Sequence, residues 1–176
     1  MTDTENAPRR ADRFVAHLRA LAEREDRGAL AALRKSLQAA DGMATDAYPY
    51  VVPFLDVEPS RRDRAFFLIG ALFATHPDPG GVSLGLAFRR LSPDDPNNES
   101  VRRRFVALLD ADPDDVGEHL HQATSLCRAR GIAIDWARTL EDLLAFSHPD
   151  RFAQRRLARE FWATHQDVDS TKETQT

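Results

Sequence analysis

Residues 99–131 read ESVRRRFVALLDADPDDVGEHLHQATSLCRARG, and this stretch decides the fold. Val101, Phe105, Leu108 and Leu109 recur at helical spacing, which predicts a helix over about 99–109. At about 100° per residue, Arg103 falls opposite that apolar stripe, with Arg102 and Arg104 on its shoulders. A start signal follows at once. Asp112 reads as an N-cap and Pro113 as the first helical residue, with Asp114 and Asp115 in the first turn. The second helix is expected to run to about Arg130 and to stop at Gly131.

The same periodicity extends outward in both directions. C-terminally, Asp135 caps a helix that turns Trp136, Leu140, Leu143 and Leu144 inward. A last helix begins near Pro149 and carries Phe152, Leu157, Phe161 and Trp162. Both tryptophans sit on apolar stripes and are expected to be buried. N-terminally, SPDDPNN at 92–98 is the best internal boundary. Before it come a short helix over about 83–91 and the breaker HPDPGG at 76–81. Residues 65–74, AFFLIGALFA, are apolar on every side and predict a central buried helix, with Ser60 as its cap. A long connection over 41–58 holds Tyr48, Pro49, Tyr50, Pro53 and Phe54, whose aromatic rings are expected to pack onto the helices. Leu30, Leu33 and Leu37, then Phe14, Leu18 and Leu21, mark two further amphipathic helices. No segment reads better as a strand. The expected fold is all-α and two-lobed: an N-terminal lobe over 11–91 and a C-terminal bundle over 99–166. The polar ends, 1–10 and 167–176, are expected to be disordered.

Composition bounds the function. The chain has 176 residues and a net charge of -4, with 42% hydrophobic and 30% charged residues. Those proportions suit a soluble globular protein. The acidic balance argues against a free-standing nucleic-acid binder, which is usually basic. Of 24 Lys and Arg residues, only Lys35 and Lys172 are lysine, and arginine forks grip phosphate in two-point fashion. Cys127 is the single cysteine, so no internal disulfide forms. No apolar run approaches the roughly 20 residues of a membrane span, and the start MTDTENAPRRADRF lacks the apolar core of a signal peptide. A cytoplasmic location is expected.

Several motifs invite chemical readings. Gly81-Val82-Ser83-Leu84-Gly85 fits the G-x-S-x-G nucleophile elbow, but that chemistry needs a strand before the serine, and none precedes Gly81. A loop in which Ser83 caps a helix is the simpler explanation, and a hydrolase using Ser83 is the remote alternative. His119 and His121, two apart, diverge by about 200° on a helix and do not form a ligand pair. No paired-cysteine or HExxH spacing occurs. Asp110, Asp112, Asp114, Asp115 and Glu118 lack the central glycine and closing glutamate of a calcium loop. No metal or cofactor is expected. The basic clusters remain. Arg102, Arg103 and Arg104 form one. Arg128, Arg130 and Arg138 flank a single turn. Arg155, Arg156 and Arg159 fall within about 100° of one helix face, and Arg61, Arg62 and Arg64 stand at a helix start. No aromatic-interleaved basic motif marks a base-reading surface.

Four stretches resemble the CasB family, the small subunit of the type I-E CRISPR Cascade complex. These are Arg34-Lys35 followed by AYPYVVPFL at 47–55, GVSLGLAF at 81–88, RRFVALLDADPDDVGEHLHQA at 103–123, and IDWARTLEDLLAFSHPDRFAQRRLAREFW at 134–162. Their order along the chain carries more weight than any one piece. The resemblance implies an all-helical, two-lobed subunit without enzymatic activity. Its implied partners are the backbone and large subunits of the complex, a second copy of itself, and the target and displaced strands of RNA-guided DNA, with no membrane. It also implies phosphate contacts at Arg34 and Lys35, at Arg103 and Arg104, and at Arg155 and Arg156. Arg102, Arg128, Arg130 and Arg138 extend this set as basic candidates. The chain departs from the family pattern at His121 and Leu86, where arginine is usual, and Arg89 and Arg90 follow one turn later. The alternative to nucleic-acid contact is a helical scaffold whose Arg faces bind protein partners. In either role a subunit held in an assembly need not be basic overall, because its cations act at high effective concentration.

Overall fold

The helix over Asp63–Thr75 has no polar face to offer solvent, and nine of its 13 residues are buried. It is the centre around which the first half of the chain collects. In the computed structural model, residues 9–78, 80–95 and 98–163 are described. Among them run nine α-helices: α1 (Arg10–Glu23), α2 (Arg27–Arg34), α3 (Tyr48–Val51), α4 (Asp63–Thr75), α5 (Leu84–Arg90), α6 (Glu99–Asp110), α7 (Val116–Ala129), α8 (Trp136–Leu144) and α9 (Phe152–Trp162). The fold is all-α. Extended pairing among the described residues is limited to one isolated parallel bridge, Val82 with Ile134.

The chain divides into two compact units, but not in the expected linear way. The first unit holds the chain up to Gly81 together with Asp135–Leu144; the second holds Val82–Ile134 and everything from Ala145 onward. The expected boundary at 92–98 therefore lies inside the second unit. The physical reason is α8, which packs on α1 and α4. Trp136 is wholly buried and meets the Phe73 ring edge-on at 6.4 Å between centroids.

In the first unit, Phe14 of α1 meets Phe54 and Phe66 edge-on, both at 5.3 Å, and Tyr48 meets Phe67 at 5.5 Å. Tyr48 and Phe54 thus pack onto the helices as expected. The stretch is more ordered than a connection: 3-10 turns at Thr45–Ala47 and Val52–Phe54 bracket α3. Each fully buried Phe or Leu contributes on the order of 1.5–3 kcal/mol. Asp26 caps α2 by accepting from the Ala29 N–H. Ser60 acts one turn ahead of α4, its hydroxyl accepting from the Arg62 N–H and donating to Asp63. Exposed ion pairs tie the start of α1 down, Arg9 to Glu141 at 2.9 Å and Arg10 to Asp56. Helix α1 therefore begins at Arg10, inside the expected disordered end; residues 1–8 and 164–176 lie outside the described residues.

In the second unit, α5 packs closely on α9, and α7 packs on α5 and α6. Phe105 of α6 is the hub, stacked on Phe161 at 4.3 Å and tilted against Phe88 at 5.0 Å. Gly85 permits the α5–α9 approach: a Cβ there would lie 2.5 Å from the Leu157 carbonyl oxygen. Two expectations need correction. Helix α7 starts at Val116, not Pro113, after a turn over residues 113–115 in which the Asp115 N–H meets the Asp112 carbonyl. Among the described residues the Asp112 side chain accepts no backbone N–H, so it does not act as the expected side-chain cap. Trp162 is 47% exposed and Phe152 45% exposed. At about 100° per residue, each lies 100° or more around α9 from Leu157 and Phe161, on the side turned away from the core. Gly131 does end α7. With φ of 64° it lets its own N–H reach the Arg128 carbonyl and the Ile132 N–H reach Cys127, a Schellman arrangement.

Candidate nucleic-acid interface

Helix α6 is capped by Asn98, whose side chain accepts from the Val101 N–H at 3.1 Å. Burial of Phe105 and Leu108 fixes its rotation, so Arg102, Arg103 and Arg104 are all exposed. Arg104 donates to the Ser100 carbonyl at 3.3 Å and to the Ser100 hydroxyl, which lays its stem along the helix. Arg103 and Arg104 line a cleft of ≈180 Å³ with Ala107 of α6, Phe88 of α5, and His119, Gln122 and Ala123 of α7. Gln122 is held by Glu118 one turn before it. The cleft therefore presents two guanidinium groups, an imidazole and an amide over an apolar floor. The arginines are charged donors of the kind that hold phosphate oxygens.

The remaining basic candidates behave differently from one another. Arg155 is exposed on α9, Arg156 is half-buried and Arg159 is exposed. Arg128 is exposed in the last turn of α7. Arg130 donates to the Leu91 carbonyl, at the C-terminus of α5, where a cation is favoured by the helix dipole; it is committed to holding the fold. Arg151, which sequence reasoning passed over, does the same for α6, donating to the Leu109 carbonyl at 2.6 Å and to Asp110. Arg34 and Lys35 lie in the first unit, at the end of α2. Arg34 reaches the Ala74 carbonyl at a long 3.5 Å, and Lys35 is paired with Asp46. Arg138 belongs to α8 in the first unit and is half-buried, whereas Arg128 and Arg130 belong to the second. The single cluster expected around residue 131 is therefore divided between the units.

The other motifs resolve into structure. Ser83 is buried and its hydroxyl accepts from the Leu86 N–H at 3.4 Å, so it is the cap of α5. The acidic run after α6 forms a turn, and no group of three or more metal-ligating side chains is arranged for an ion among the described residues. Burial pushes the Cys127 thiol up to about 12. No described helix is long and apolar enough to cross a membrane. His121 is exposed on α7, Arg89 is half-buried and Arg90 exposed at the end of α5.

Fold and site together define an all-α protein of two units with cations displayed on exposed helix faces. A family model for the CRISPR-associated protein Cse2 matches residues 29–162. The CRISPR-associated protein Cse2 of Thermus thermophilus is 38% identical over 146 residues, 82% of this chain and 84% of that protein. The crystal structure of CasB from Thermus thermophilus matches with a TM-score of 0.74 at 36% identity, over 88% of this chain and 98% of that one. A chain of a CRISPR RNA-guided surveillance complex matches with a TM-score of 0.72 at 25% identity, over 93% and 98%. The chain belongs to the Cse2 family, and the resemblance to CasB is to this same family.

Proposed function

We propose that this chain is the small, non-catalytic subunit of a type I-E CRISPR RNA-guided surveillance complex in the cytoplasm, where it steadies the target and displaced DNA strands of the R-loop. Its partners in this reading are the backbone and large subunits and a second copy of itself. The observation that carries the reading is the α6–α7 cleft, with Arg103 and Arg104 exposed side by side at its rim. Phosphate contacts position a strand without reading it, as a subunit that accepts any target requires. Base pairing carries the sequence, and R-loop formation is a near-balanced exchange of duplexes. A few backbone contacts therefore shift its lifetime measurably.

The test is R-loop lifetime in the reconstituted complex over a salt series, comparing wild type with the double variant Arg103→Ala/Arg104→Ala. Exposed substitutions of this kind change stability by no more than about 0.5 kcal/mol, so the variant should still be incorporated. Lifetime should fall, by a similar factor for unrelated target sequences. An incorporated variant with unchanged lifetime and salt slope would remove the cleft from the interface. Loss of incorporation instead would favour the scaffold reading, in which these cations face a protein partner.

A further inference from the structure

Helix α9 carries a second surface that is neither core nor cleft. Phe152, Arg155, Arg159 and Trp162 are spaced i, i+3, i+7 and i+10, which places them within about 80° of one another around the helix. All four are exposed. Ala153, Gln154, Leu157 and Phe161 are buried on the other side. The helix's one carboxylate, Glu160, is turned against Gly85 of α5, so no acid interrupts the stripe. Neither Arg155 nor Arg159 has an ion-pair partner among the described residues. The two rings are held rather than loose. Phe152 leans on His148 at 4.8 Å. Trp162 meets Phe105 at 5.5 Å and Phe161 at 4.9 Å, at steep angles of 66° and 90°. No ring among the described residues stacks parallel on either.

We infer that this stripe is a contact for unpaired nucleotides, in which Phe152 and Trp162 stack bases while Arg155 and Arg159 hold the phosphates between them. Two aromatic platforms bracketing two cations over about 15 Å of helix match what sequence-tolerant single-strand binding requires. A fully paired duplex keeps its bases stacked inside and offers the rings nothing. The stripe therefore selects single-stranded DNA, which in the proposed function is the displaced strand; to that extent it rests on that reading. It also supplies the aromatic-interleaved basic surface that the linear sequence conceals.

The two tryptophans make the test direct. Trp136 is wholly buried and Trp162 is half exposed, so a Trp136→Phe variant of the full chain reports on Trp162 alone. It is titrated at low salt with oligothymidylate, with an abasic strand of equal length, and with duplex of equal phosphate content. Oligothymidylate should quench the emission. The abasic strand and the duplex should bind through charge with little quenching. In the wild-type background Phe152→Ala should weaken oligothymidylate binding about tenfold. Arg155→Ala and Arg159→Ala should each shallow its log–log salt slope by about 0.7.

Equal quenching by all three strands, or none at saturating oligothymidylate, overturns the inference. So does Trp162→Ala changing the sedimentation of the free chain, which would make the stripe a contact between copies. If R-loop lifetime in the complex responds to Arg103→Ala/Arg104→Ala but not to Phe152→Ala/Arg155→Ala/Arg159→Ala, the stripe fails while the proposed function stands.

Discussion

The candidate phosphate-binding cations of the two units are in different states. In the first, Arg9, Arg10 and Lys35 each face a carboxylate, Glu141, Asp56 and Asp46, and Arg34 leans on a helix-end carbonyl. In the second, Arg103 and Arg104 rim a cleft and Arg155 stands clear on α9, while Arg130 and Arg151 are committed to the C-termini of α5 and α6. The number of arginines in a segment therefore says little about how many are available to phosphate. An exposed ion pair is worth only about 0–1 kcal/mol, so Lys35 is not locked away. It must still exchange one anion for another, whereas Arg103 exchanges only water.

The units also differ in how tightly their central helices meet, and that difference gives the largest expected effect. At Gly85 an added Cβ would lie 2.5 Å from the Leu157 backbone oxygen and 2.8 Å from the Glu160 Cβ; at Gly70 it would lie 3.1 Å from the tip of the Leu33 side chain. A backbone oxygen cannot step aside as a side-chain tip can. Gly85→Ala should cost about 3 kcal/mol, the upper part of the range for overpacking. Gly70→Ala should stay within about 1 kcal/mol, because helix propensity returns up to about 1 kcal/mol. Urea midpoints measure both. Equal losses would mean that the two seams are equally tolerant.

Next in size is the direct comparison of cation pairs. Arg103→Ala/Arg104→Ala should shallow the salt dependence of duplex binding by about 1.8 log–log units, at roughly 0.9 per phosphate contact. Arg34→Ala/Lys35→Ala should shallow it by less, because Asp46 already neutralises Lys35 in part and leaves it less charge to offer a phosphate. Binding isotherms from low to moderate salt distinguish them. A larger effect from the first unit would invert the contrast between the two.

Much of this architecture is legible in sequence, and the reasons differ by residue. The stripe of Phe105 and Leu108 specifies α6 because helical period is a local property. Ser83, Asp135 and Gly131 announce their caps and stop through local backbone chemistry, and each acts as announced. What stays hidden is non-local. The Arg130 fork reaches a carbonyl 39 residues away, and α8 returns to the first unit because Trp136 finds Phe73. Trp162 misleads because it adjoins Phe161 in sequence and reads as part of the same apolar stripe, although at about 100° per residue it turns to the exposed side of α9. Of the cleft, sequence offers Arg103 and Arg104, which periodicity turns away from the core; His119 and Gln122 join only when α7 is laid beside α6.

The tryptophans sharpen the contrast further. Iodide should quench Trp162 and leave Trp136 untouched, so a Trp162→Phe variant should lose almost all collisional quenching. Retained quenching in that variant would mean that the first unit opens at α8.

The smallest expected effect is a pH dependence confined to the first unit. His17 lies half-buried on α1, its ring 5.1 Å from that of Phe54, and its Nε2 is buried without a hydrogen-bond partner. Burial, and secondarily the charge of Arg24, hold its pKa below the ordinary value of 6.5. The folded chain thus favours neutral imidazole, while the unfolded chain takes up a proton near pH 6.5. Stability that is complete above the unfolded pKa is lost as pH falls from there toward the lower folded pKa, because the unfolded state then binds more protons. His17→Phe keeps a ring against Phe54 and removes the titration. Carboxylates elsewhere titrate in both proteins and cancel in the difference. The gap in urea midpoint between wild type and variant should be constant above about pH 7 and should move against wild type as pH drops below the ordinary histidine range. Parallel midpoint curves down to about pH 5 would show that His17 gains a proton in the folded unit as readily as in the unfolded chain.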